Sequence, residues 1–270
     1  MKNLTDQEFE LFREYIKKRY GINLGDEKKS LIYSRLRGFI ESQKLNSFKE
    51  YYDLILKDKD GNLTKDFINK ITTNHTFFMR EKDHFEYLKK EVLPIIEQRH
   101  KNSKDIRLWC AGCSSGEEAY TLQIILQEHF ENKGWNLEML ATDISNKVLN
   151  KAYRGIYQND SVNELPEVWI KKYFKKYDEN HMVASDNLKN NIKFSRFNFI
   201  EDIFKFKKPF QVIFCRNVMI YFDATTRNTL VNKFYNATET GGYLFIGQSE
   251  SLSYGETRYQ YAIPAAYKKN

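Results

Sequence analysis

Two adjacent carboxylates stand at the start of a predicted helix, directly after a glycine-rich turn. The turn runs from Gly112 to Gly116, and Glu117 and Glu118 follow it. A helix N-terminus attracts anions, but two carboxylates in the first turn would repel the phosphates of a nucleotide cofactor. They suit a ligand that carries positive charge and no phosphate. S-adenosylmethionine, which has an ammonium and a sulfonium group, fits this description better than NAD or ATP.

A third carboxylate, Asp143, lies 27 residues after Gly116, at the end of the next predicted strand. An acid at this position in dinucleotide-binding folds accepts hydrogen bonds from ribose hydroxyls. A structural interpretation fits the same residues. Ser114-x-x-Glu117 and Ser115-x-x-Glu118 both match a capping box, and Asp143 would serve as the cap of the helix that follows it. These residues alone leave both interpretations open.

Two other motifs overlap the same turn. A G-x-S-x-G pattern centred on Ser114 matches the nucleophile elbow of serine hydrolases, which requires an acid and then a histidine later in the chain. The only histidine after residue 143 is His181, in a predicted polar turn. Cys110-x-x-Cys113 matches a redox or zinc pair, but Cys215 is the only other cysteine. We therefore predict no hydrolase and no metal site, and expect the thiols to be small buried side chains.

The elements that carry these residues alternate between strands and helices. Three apolar strands, each followed by a helix, are predicted at residues 106–111, 137–142 and 210–215. This alternation is typical of a parallel sheet with helices on both faces, in which ligands bind at the carboxyl ends of the strands. Later strands are predicted at residues 243–247, after a Gly241-Gly242 turn, and at 259–268. Two turn clusters within residues 173–199 indicate a small antiparallel insert.

The first part of the chain contains helices only. Thr5-x-x-Glu8 forms a capping box, and apolar residues then recur at a spacing of three to four until Gly21, where the first helix should end. Further helices are predicted at about residues 26–44, from Ser47 and from near Thr64. We therefore predict an α/β protein with two domains, an all-helical N-terminal domain at residues 1–72 and a Rossmann-like, doubly wound domain at 73–270.

The composition is that of an ordinary folded protein. The chain has 270 residues, with 43 Lys and Arg against 36 Asp and Glu, and 41% of its residues are hydrophobic. No apolar run approaches the ~20 residues that a membrane-spanning helix needs. We expect a cytoplasmic protein with free thiols and no membrane insertion. The net charge of +7 favours an acidic partner without distinguishing nucleic acid from an acidic protein surface.

Five stretches together resemble one family. Residues 72–85 read TTNHTFFMREKDHF, residues 215–223 read CRNVMIYFD and residues 247–252 read GQSESL; the turn at 109–121 and the ATDI sequence at 141–144 match as well. These motifs resemble those of the bacterial chemotaxis receptor glutamate methyltransferases, the CheR family. The resemblance covers nearly the whole chain, with the motifs in the same order.

Several expectations come from this resemblance alone. It implies the two domains described above, with a small β-subdomain inserted at about residues 162–193. It implies methylation of receptor glutamates with S-adenosylmethionine and no metal, by a monomeric protein that binds the helical bundle of a receptor and no nucleic acid. Arg80 and Tyr221 would be catalytic. The cofactor contacts would be Asn74, Thr76, Arg80, Glu117, Asp143, Asn198, Phe199, Arg216 and Asn217.

Other roles fit some of these residues when the resemblance is set aside. Asn74 and Thr76 would serve as helix N-caps, Asn198 as a turn residue and Tyr221 as a core side chain. Two other functions also stay open: methylation of another substrate such as RNA, and cofactor binding without catalysis. Both are less favoured. Residues 216–219 differ from the Asn-Pro-Pro-Tyr type motif of amine-methylating nucleic-acid enzymes, and the set of acidic and polar cofactor residues is complete.

Two surfaces are candidates for contact with a receptor. The second predicted helix and the turn after it carry six basic residues from Lys28 to Lys49 against one acid, Glu41. We expect Arg35 and Arg37 to bind the substrate there, and a solvated scaffold helix is the alternative. In the family, the β-subdomain can also bind a receptor's C-terminal peptide as an added strand. An edge strand protected by lysines explains the insert equally well.

Overall fold

The N-terminal domain is a bundle of four helices. The computed structural model describes residues 3–72, 74–252, 255 and 257–270, so Thr73 of the predicted linker motif lies outside the described residues. The helices are α1 (Asp6–Tyr20), α2 (Lys29–Ser42), α3 (Phe48–Lys57) and α4 (Asn62–Ile71). Aromatic side chains fill the space between them, with Phe12 packed against Phe67 at a ring distance of 5.4 Å. The domain has a hydrophobic core of its own.

The ends of these helices follow the sequence signals closely. Thr5 and Glu8 form the predicted capping box, and Gly21, with a φ of 72°, ends α1. A single 3-10 turn at Asp26–Lys28 precedes α2, so the regular helix begins three residues later than expected. α4 begins at Asn62 rather than near Thr64, because Gly61 already adopts the left-handed conformation that starts it.

The second domain is built on a seven-stranded sheet. Its strands are β1 (Asp105–Ala111), β2 (Asn136–Asp143), β6 (Ile192–Arg196), β7 (Phe210–Cys215), β8 (Thr238–Ile246), β9 (Gln260–Ile263) and β10 (Ala266–Lys268). Their order is β6-β2-β1-β7-β8-β10-β9. The first five are parallel, and β10 is antiparallel to β8. The strand order reverses between β1 and β7, which is where ligands bind in open α/β sheets.

Helices flank this sheet and connect its strands. They are α5 (Lys82–Tyr87), α6 (Leu93–Arg99), α7 (Glu117–Phe130), α8 (Asn146–Arg154), α9 (Asn159–Val162), α10 (Glu167–Tyr173), α11 (Asp186–Asn190) and α12 (Ala224–Ala237). A π-helical turn joins α5 to α6. A separate three-stranded antiparallel sheet contains β3 (Ile156–Gln158), β4 (Phe174–Lys176) and β5 (His181–Ala184), in the order β3-β5-β4. The predicted fold class, with its small antiparallel sheet, is confirmed.

Some strand boundaries differ from the predictions. Gly241 and Gly242 lie inside β8 rather than in a turn before it, because they exchange backbone hydrogen bonds with Lys269. The guanidinium of Arg99 occupies the place that a Cβ of Gly241 would take. The last segment forms a hairpin of β9 and β10 instead of one strand. The small sheet already begins with β3, upstream of residue 162, and β6 pairs with β2 in the large sheet.

The two domains are held together by specific polar contacts. The side-chain amide of Asn198 donates to the carbonyl of Arg19 at the end of α1, at 2.9 Å. Ser145 donates from its hydroxyl to the Asn69 side chain of α4, at 2.7 Å. Ile22 forms an antiparallel bridge with Phe222. Within the described part of the chain, no helix has the length and apolar character needed to cross a bilayer.

Candidate active site

A cavity of about 240 Å³ opens at the carboxyl ends of β1 and β7, where the strand order reverses. Its walls come from the glycine-rich turn, the linker after α4 and the segment after β7, together with Lys28 and Leu31 of the N-terminal domain. Most of the predicted site residues line it: Asn74, Thr76, Arg80, Asp143, Asn198, Phe199, Arg216, Asn217 and Tyr221. The structure therefore brings together residues that are up to 147 positions apart in the sequence.

The glycine-rich turn is folded tightly against the end of β2. The amides of Gly112 and Cys113 both donate to the Thr142 carbonyl at 2.8 Å. Gly112 has a φ of 96°, and a Cβ atom there would overlap Cγ2 of Val218. Ser114 is also left-handed, with a φ of 49°. The turn therefore places its backbone against both neighbouring strand ends, which requires a residue without a side chain at its first position.

Asp143 fixes this turn through two hydrogen bonds. Its Oδ2 accepts from the Ser114 amide and its Oδ1 accepts from the Ser145 amide, each at 2.9 Å. Ser145, rather than Asp143, caps α8, so the capping interpretation of Asp143 is wrong. Burial raises the pKa of the Asp143 carboxyl. A carboxylate oxygen accepts more than one hydrogen bond, so Asp143 can hold the turn and accept ribose hydroxyls as well.

Glu118, and not Glu117, is the carboxylate of α7 that lines the cavity. Glu117 borders a separate depression beside Lys151, and its carboxylate accepts a hydrogen bond from the Ser115 hydroxyl, which lies 2.8 Å from Oε2 and 3.0 Å from Oε1. Burial raises the pKa of the Glu117 carboxyl. The prediction that Glu117 contacts the cofactor thus conflicts with the geometry, because a step of one residue turns a side chain by about 100° around a helix. The capping-box interpretation is also wrong, since Gly116 begins α7 without a side-chain cap.

Arg216 is buried at the centre of a polar network. Its Nε donates to Glu118 at 2.6 Å, and its Nη2 donates to the backbone carbonyl of Arg80 at 2.8 Å. Its Nη1 donates to Nδ1 of His84 at 3.1 Å. Burial and the positive charge of Arg216 lower the pKa of His84, so the imidazole is neutral and accepts this bond. The Arg216 guanidinium therefore holds the linker and α7 in place.

Two carboxylates that sequence reasoning missed hold the segment after β7. Glu250 is buried, and its side chain accepts from the amides of Gly247, Asn217 and Ile220 at 2.6 to 3.0 Å. Glu81 accepts from the side-chain amide of Asn217 at 3.1 Å. Both acids lie inside motifs that identified the family, which was the available signal. Together they fix the backbone that carries Asn217 into the cavity.

The linker after α4 contributes backbone and side chains to the cavity. The Asn74 carbonyl accepts from the Ser114 hydroxyl at 3.2 Å, which ties the linker to the glycine-rich turn. Arg80 donates to the His75 carbonyl at 2.9 Å and remains partly exposed. Neither Asn74 nor Thr76 is a helix N-cap, because the next helix begins only at Lys82. The alternative N-cap interpretation of these two residues is wrong.

Tyr221 and Asn198 have different surroundings from those expected. Met219 is the buried residue of the 3-10 turn Met219–Tyr221, whereas Tyr221 is only partly buried and lines the cavity, so the core interpretation fails. The Asn198 side chain is buried and bonded within the protein, donating to Arg19 and accepting from the amide of Ile200. That arrangement agrees with the turn interpretation. Asn198 contributes to the cavity wall while its amide joins the two domains.

Arg35 and Arg37 lie apart from each other. Arg35 donates to the Ile71 and Thr72 carbonyls at 2.6 and 3.1 Å, and so binds the C-terminal end of α4. Arg37 is exposed and pairs with Glu41 at 2.8 Å. Arg35 therefore has a structural role that its charge and spacing did not reveal.

The three thiols are buried, as the sequence analysis predicts. All three cysteines are free and buried, and burial raises the pKa of each thiol. Among the described residues, no group of three His, Cys, Asp or Glu side chains is arranged to hold a metal ion.

Comparison with known proteins identifies the family. The model of the CheR methyltransferase SAM-binding domain matches residues 74–268, and that of the CheR methyltransferase all-alpha domain matches residues 7–72. The chain belongs to the CheR methyltransferase family. A chemotaxis protein methyltransferase of Borreliella burgdorferi is 40% identical to this CheR-family chain over 272 residues, covering 99% of the chain and 96% of that protein.

More distant relatives cover nearly the same length. The chemotaxis protein methyltransferase 2 of Vibrio cholerae is 35% identical over 253 residues, covering 93% of this chain and 87% of that protein. The Escherichia coli chemotaxis protein methyltransferase is 32% identical over 259 residues, covering 95% and 88%. This CheR-family protein is thus a methyltransferase, and the cavity is lined by its SAM-binding domain together with residues of its all-alpha domain.

Proposed function

We propose that this CheR-family protein methylates glutamate side chains on the cytoplasmic helical bundle of chemotaxis receptors, forming γ-glutamyl methyl esters. The observation that carries the proposal is one cavity that combines Glu118 and Asp143 with Arg80 and Tyr221. The names of the relatives support a role in chemotaxis. We expect a monomeric cytoplasmic enzyme that does not bind nucleic acid and does not insert into the membrane.

The lining of the cavity fits S-adenosylmethionine. Asp143 would accept hydrogen bonds from the ribose hydroxyls, and Glu118, which forms an ion pair with Arg216, would lie near the ammonium group. Ile144 and Phe199 supply apolar surface for the adenine ring. S-adenosylmethionine, when bound, supplies the methyl group on a positively charged sulfur. The amides of Gly112, Cys113 and Ser114 already donate to the Thr142 carbonyl and the Asp143 carboxylate, so they are not available to bind a phosphate.

The substrate side of the reaction needs no strong base. A glutamate with a pKa of about 4.3 is ionised at neutral pH and is already a nucleophile. The protein therefore has to align the carboxylate with the methyl group and to remove the water that solvates it. Arg80 is the cation in the linker that would hold a carboxylate, either that of the substrate or that of the cofactor. Tyr221 would orient the attacking oxygen or flank the sulfonium.

One labelling experiment tests the reaction. The protein is incubated with methyl-labelled S-adenosylmethionine and either receptor cytoplasmic fragments or RNA, and the products are then treated with mild base. Release of labelled methanol from the receptor fragment is expected, because only a carboxyl methyl ester hydrolyses in this way. Label that stays on RNA would establish the RNA alternative, and cofactor binding without any transfer would establish a non-catalytic module.

The roles of Arg80 and Tyr221 are tested in the same assay. Arg80→Ala and Tyr221→Phe should lower turnover while the protein stays folded, because both side chains are partly exposed in the cavity and outside the hydrophobic core. Affinity for S-adenosylhomocysteine is measured separately, which separates binding from the chemical step. Normal turnover in both variants would contradict the assignment.

Docking of the substrate involves the N-terminal domain in this proposal. Arg37 is exposed on α2 and available to an acidic surface, whereas Arg35 also holds the end of α4. Arg37→Glu should slow receptor methylation at low salt and leave cofactor affinity unchanged.

The β-subdomain offers β4 as an edge strand, with Lys175 and Lys176 exposed on it. Titration with receptor C-terminal peptides distinguishes strand addition from a simply protected edge.

A further inference from the structure

A strongly basic groove lies at the junction of the two domains. It is a depression of about 600 Å³ between α8 of the methyltransferase domain and α2 and α4 of the N-terminal domain. Its cationic side chains are Arg35, Lys70, Lys147, Lys151 and Arg154. Asp66 is the one acid among the described residues that line it, and it pairs with Lys70 at 3.2 Å. Five cations and one acid give the groove an excess of four positive charges.

Three of these cations form a stripe along α8. Lys147, Lys151 and Arg154 occupy positions i, i+4 and i+7, which lie on one face of a helix, and all three are exposed. No carboxylate in the described part of the chain forms an ion pair with them, although the field of Lys151 reaches the buried Glu117. Like charges at this spacing oppose helix formation. Lys151 and Arg154 lie in the last turn of α8, where cations interact favourably with the helix dipole, but Lys147 lies in the first turn, where a cation is unfavourable. The stability of α8 therefore does not account for Lys147.

The groove and the active-site cavity share two chain segments as a common wall. Asp143 and Ile144 line the cavity and come directly before α8. Ile71 and Thr72 line the cavity at the end of α4, and the Arg35 guanidinium in the groove donates to both of their carbonyls. The groove therefore adjoins the cavity at these two segments.

We propose that this groove is a docking surface for an acidic helix of the methylated substrate, with carboxylates of that helix facing Lys147, Lys151 and Arg154. The proposal rests on the proposed function and adds a contact surface on the methyltransferase domain. Acidic side chains at positions i, i+4 and i+7 of a substrate helix match the spacing of the stripe. Complementary charges of this kind act on the rate of encounter and the choice of partner.

Charge reversal in the groove tests the proposal. The variant Lys147→Glu with Arg154→Glu changes two exposed side chains, and Lys205→Glu with Lys207→Glu is the matched control. The control changes the net charge equally in the segment that leads into the start of β7, at the other end of the sheet from the cavity. Methylation of a receptor cytoplasmic fragment is measured with each protein, together with its melting temperature and its affinity for S-adenosylhomocysteine.

The groove variant should raise KM for the receptor fragment about tenfold or more, with kcat and cofactor affinity unchanged. The control should stay within about twofold of the wild type, and the difference should shrink at about 1 M salt, where charges are screened within ~3 Å. Lys147→Gln with Arg154→Gln provides a neutral version if reversal lowers the melting temperature. Its increase in KM should be smaller than that of the reversal.

Each contrary outcome has a distinct meaning. If the wild type transfers label to the receptor fragment and the groove variants keep the wild-type KM, the docking proposal is overturned and the proposed function stands. If the control raises KM as much as the groove variant, the effect is one of net charge and the groove is again overturned. If the wild type transfers no label to the fragment, the proposed function fails and the docking proposal fails with it. Loss of binding to RNA or anionic vesicles, with the fragment KM unchanged, would assign the groove to another polyanion.

Discussion

Glu117 and Glu118 are neighbours in the sequence but belong to different environments. Glu118 pairs with Arg216 and lines the cavity, whereas Glu117 is bonded to Ser115 and lies outside it. A carboxylate that contacts a cationic ligand contributes a charge-assisted hydrogen bond, and removing it costs about 1.5–3 kcal/mol. The two positions therefore form a matched pair that tests which acid serves the cofactor.

Glu118→Gln should weaken binding of S-adenosylhomocysteine at least tenfold, and Glu117→Gln should change it much less. Titration calorimetry measures both affinities. Because Glu118→Gln also removes the ionic partner of the buried Arg216, its melting temperature without ligand is recorded as a control. Equal losses of affinity in the two variants would contradict the placement of Glu118 in the binding site.

His84 gives the protein a pH dependence of known sign. Burial and Arg216 lower its pKa in the folded state, so the unfolded chain binds more protons than the folded one as the pH falls below about 6.5. The neutral imidazole therefore stabilises the fold above that pH, and this contribution is lost as the pH falls toward the lowered pKa. His84→Gln should show a smaller loss of unfolding free energy than the wild type between about pH 7.5 and 5.5.

Urea unfolding at the two pH values provides the measurement. Gln at this position keeps a side-chain acceptor for Arg216 but does not titrate. The difference between the two proteins in how the unfolding free energy changes with pH is therefore due to the imidazole. If the unfolding free energies of the two proteins change equally between the two pH values, another group accounts for the pH dependence.

At the level of single elements, the glycine-rich turn depends on its first glycine. Gly112→Ala places an alanine at a φ of 96°, where its Cβ would overlap Val218. Gly134→Ala places one at a φ of 69°, where its Cβ would meet no neighbouring atom. Left-handed backbone alone costs an alanine about 1–2 kcal/mol, so both variants should be less stable. Only Gly112→Ala should also lose affinity for S-adenosylhomocysteine. Thermal melting and calorimetry on both variants check this, and unchanged affinity in Gly112→Ala would show that the turn is not part of the site.

Elements were predictable where the signal was local. β7 is buried along its whole length, β1 and β2 end in buried, mostly apolar residues, and the Thr5 cap and Gly21 mark the two ends of α1. The start of β8 was missed because two adjacent glycines normally indicate a turn. Their place in the strand depends here on backbone hydrogen bonds with Lys269, near the C-terminal end of the sequence.

The site was predictable to the same extent. Asp143, Asn217 and Tyr221 directly follow strands or belong to recognisable motifs, so their location was expected. The choice between Glu117 and Glu118 depends on the rotation of α7, which neither spacing nor charge defines. The support from Glu250 depends on contacts over about 30 residues, which a single sequence does not contain.

On the scale of the whole molecule, the N-terminal domain helps to position the segment that carries Tyr221. The Asn23 amide donates to the Tyr221 carbonyl at 2.7 Å, next to the bridge between Ile22 and Phe222. Asn23→Pro removes this donor, whereas Asn23→Ala keeps it. We expect Asn23→Pro to lower kcat severalfold with little change in affinity for S-adenosylhomocysteine, because a lost backbone hydrogen bond costs about 1 kcal/mol.

The alanine variant serves as the control for that prediction. Steady-state methylation of receptor fragments by both variants gives the comparison. If Asn23→Pro and Asn23→Ala have the same kcat, the hydrogen bond between the domains does not position Tyr221.

Both domains line the cavity, and this arrangement has a thermodynamic consequence. Tyr20, Leu24 and Lys28 of the N-terminal domain face the same space as the turn and strand ends of the methyltransferase domain. A ligand that fills this space binds only while the domains are joined, so at a hundred times its Kd it strengthens their association by about 2.7 kcal/mol. The coupling is reciprocal. Any partner that binds only the joined domains therefore raises the affinity for S-adenosylmethionine by the same factor as S-adenosylmethionine raises the affinity for that partner.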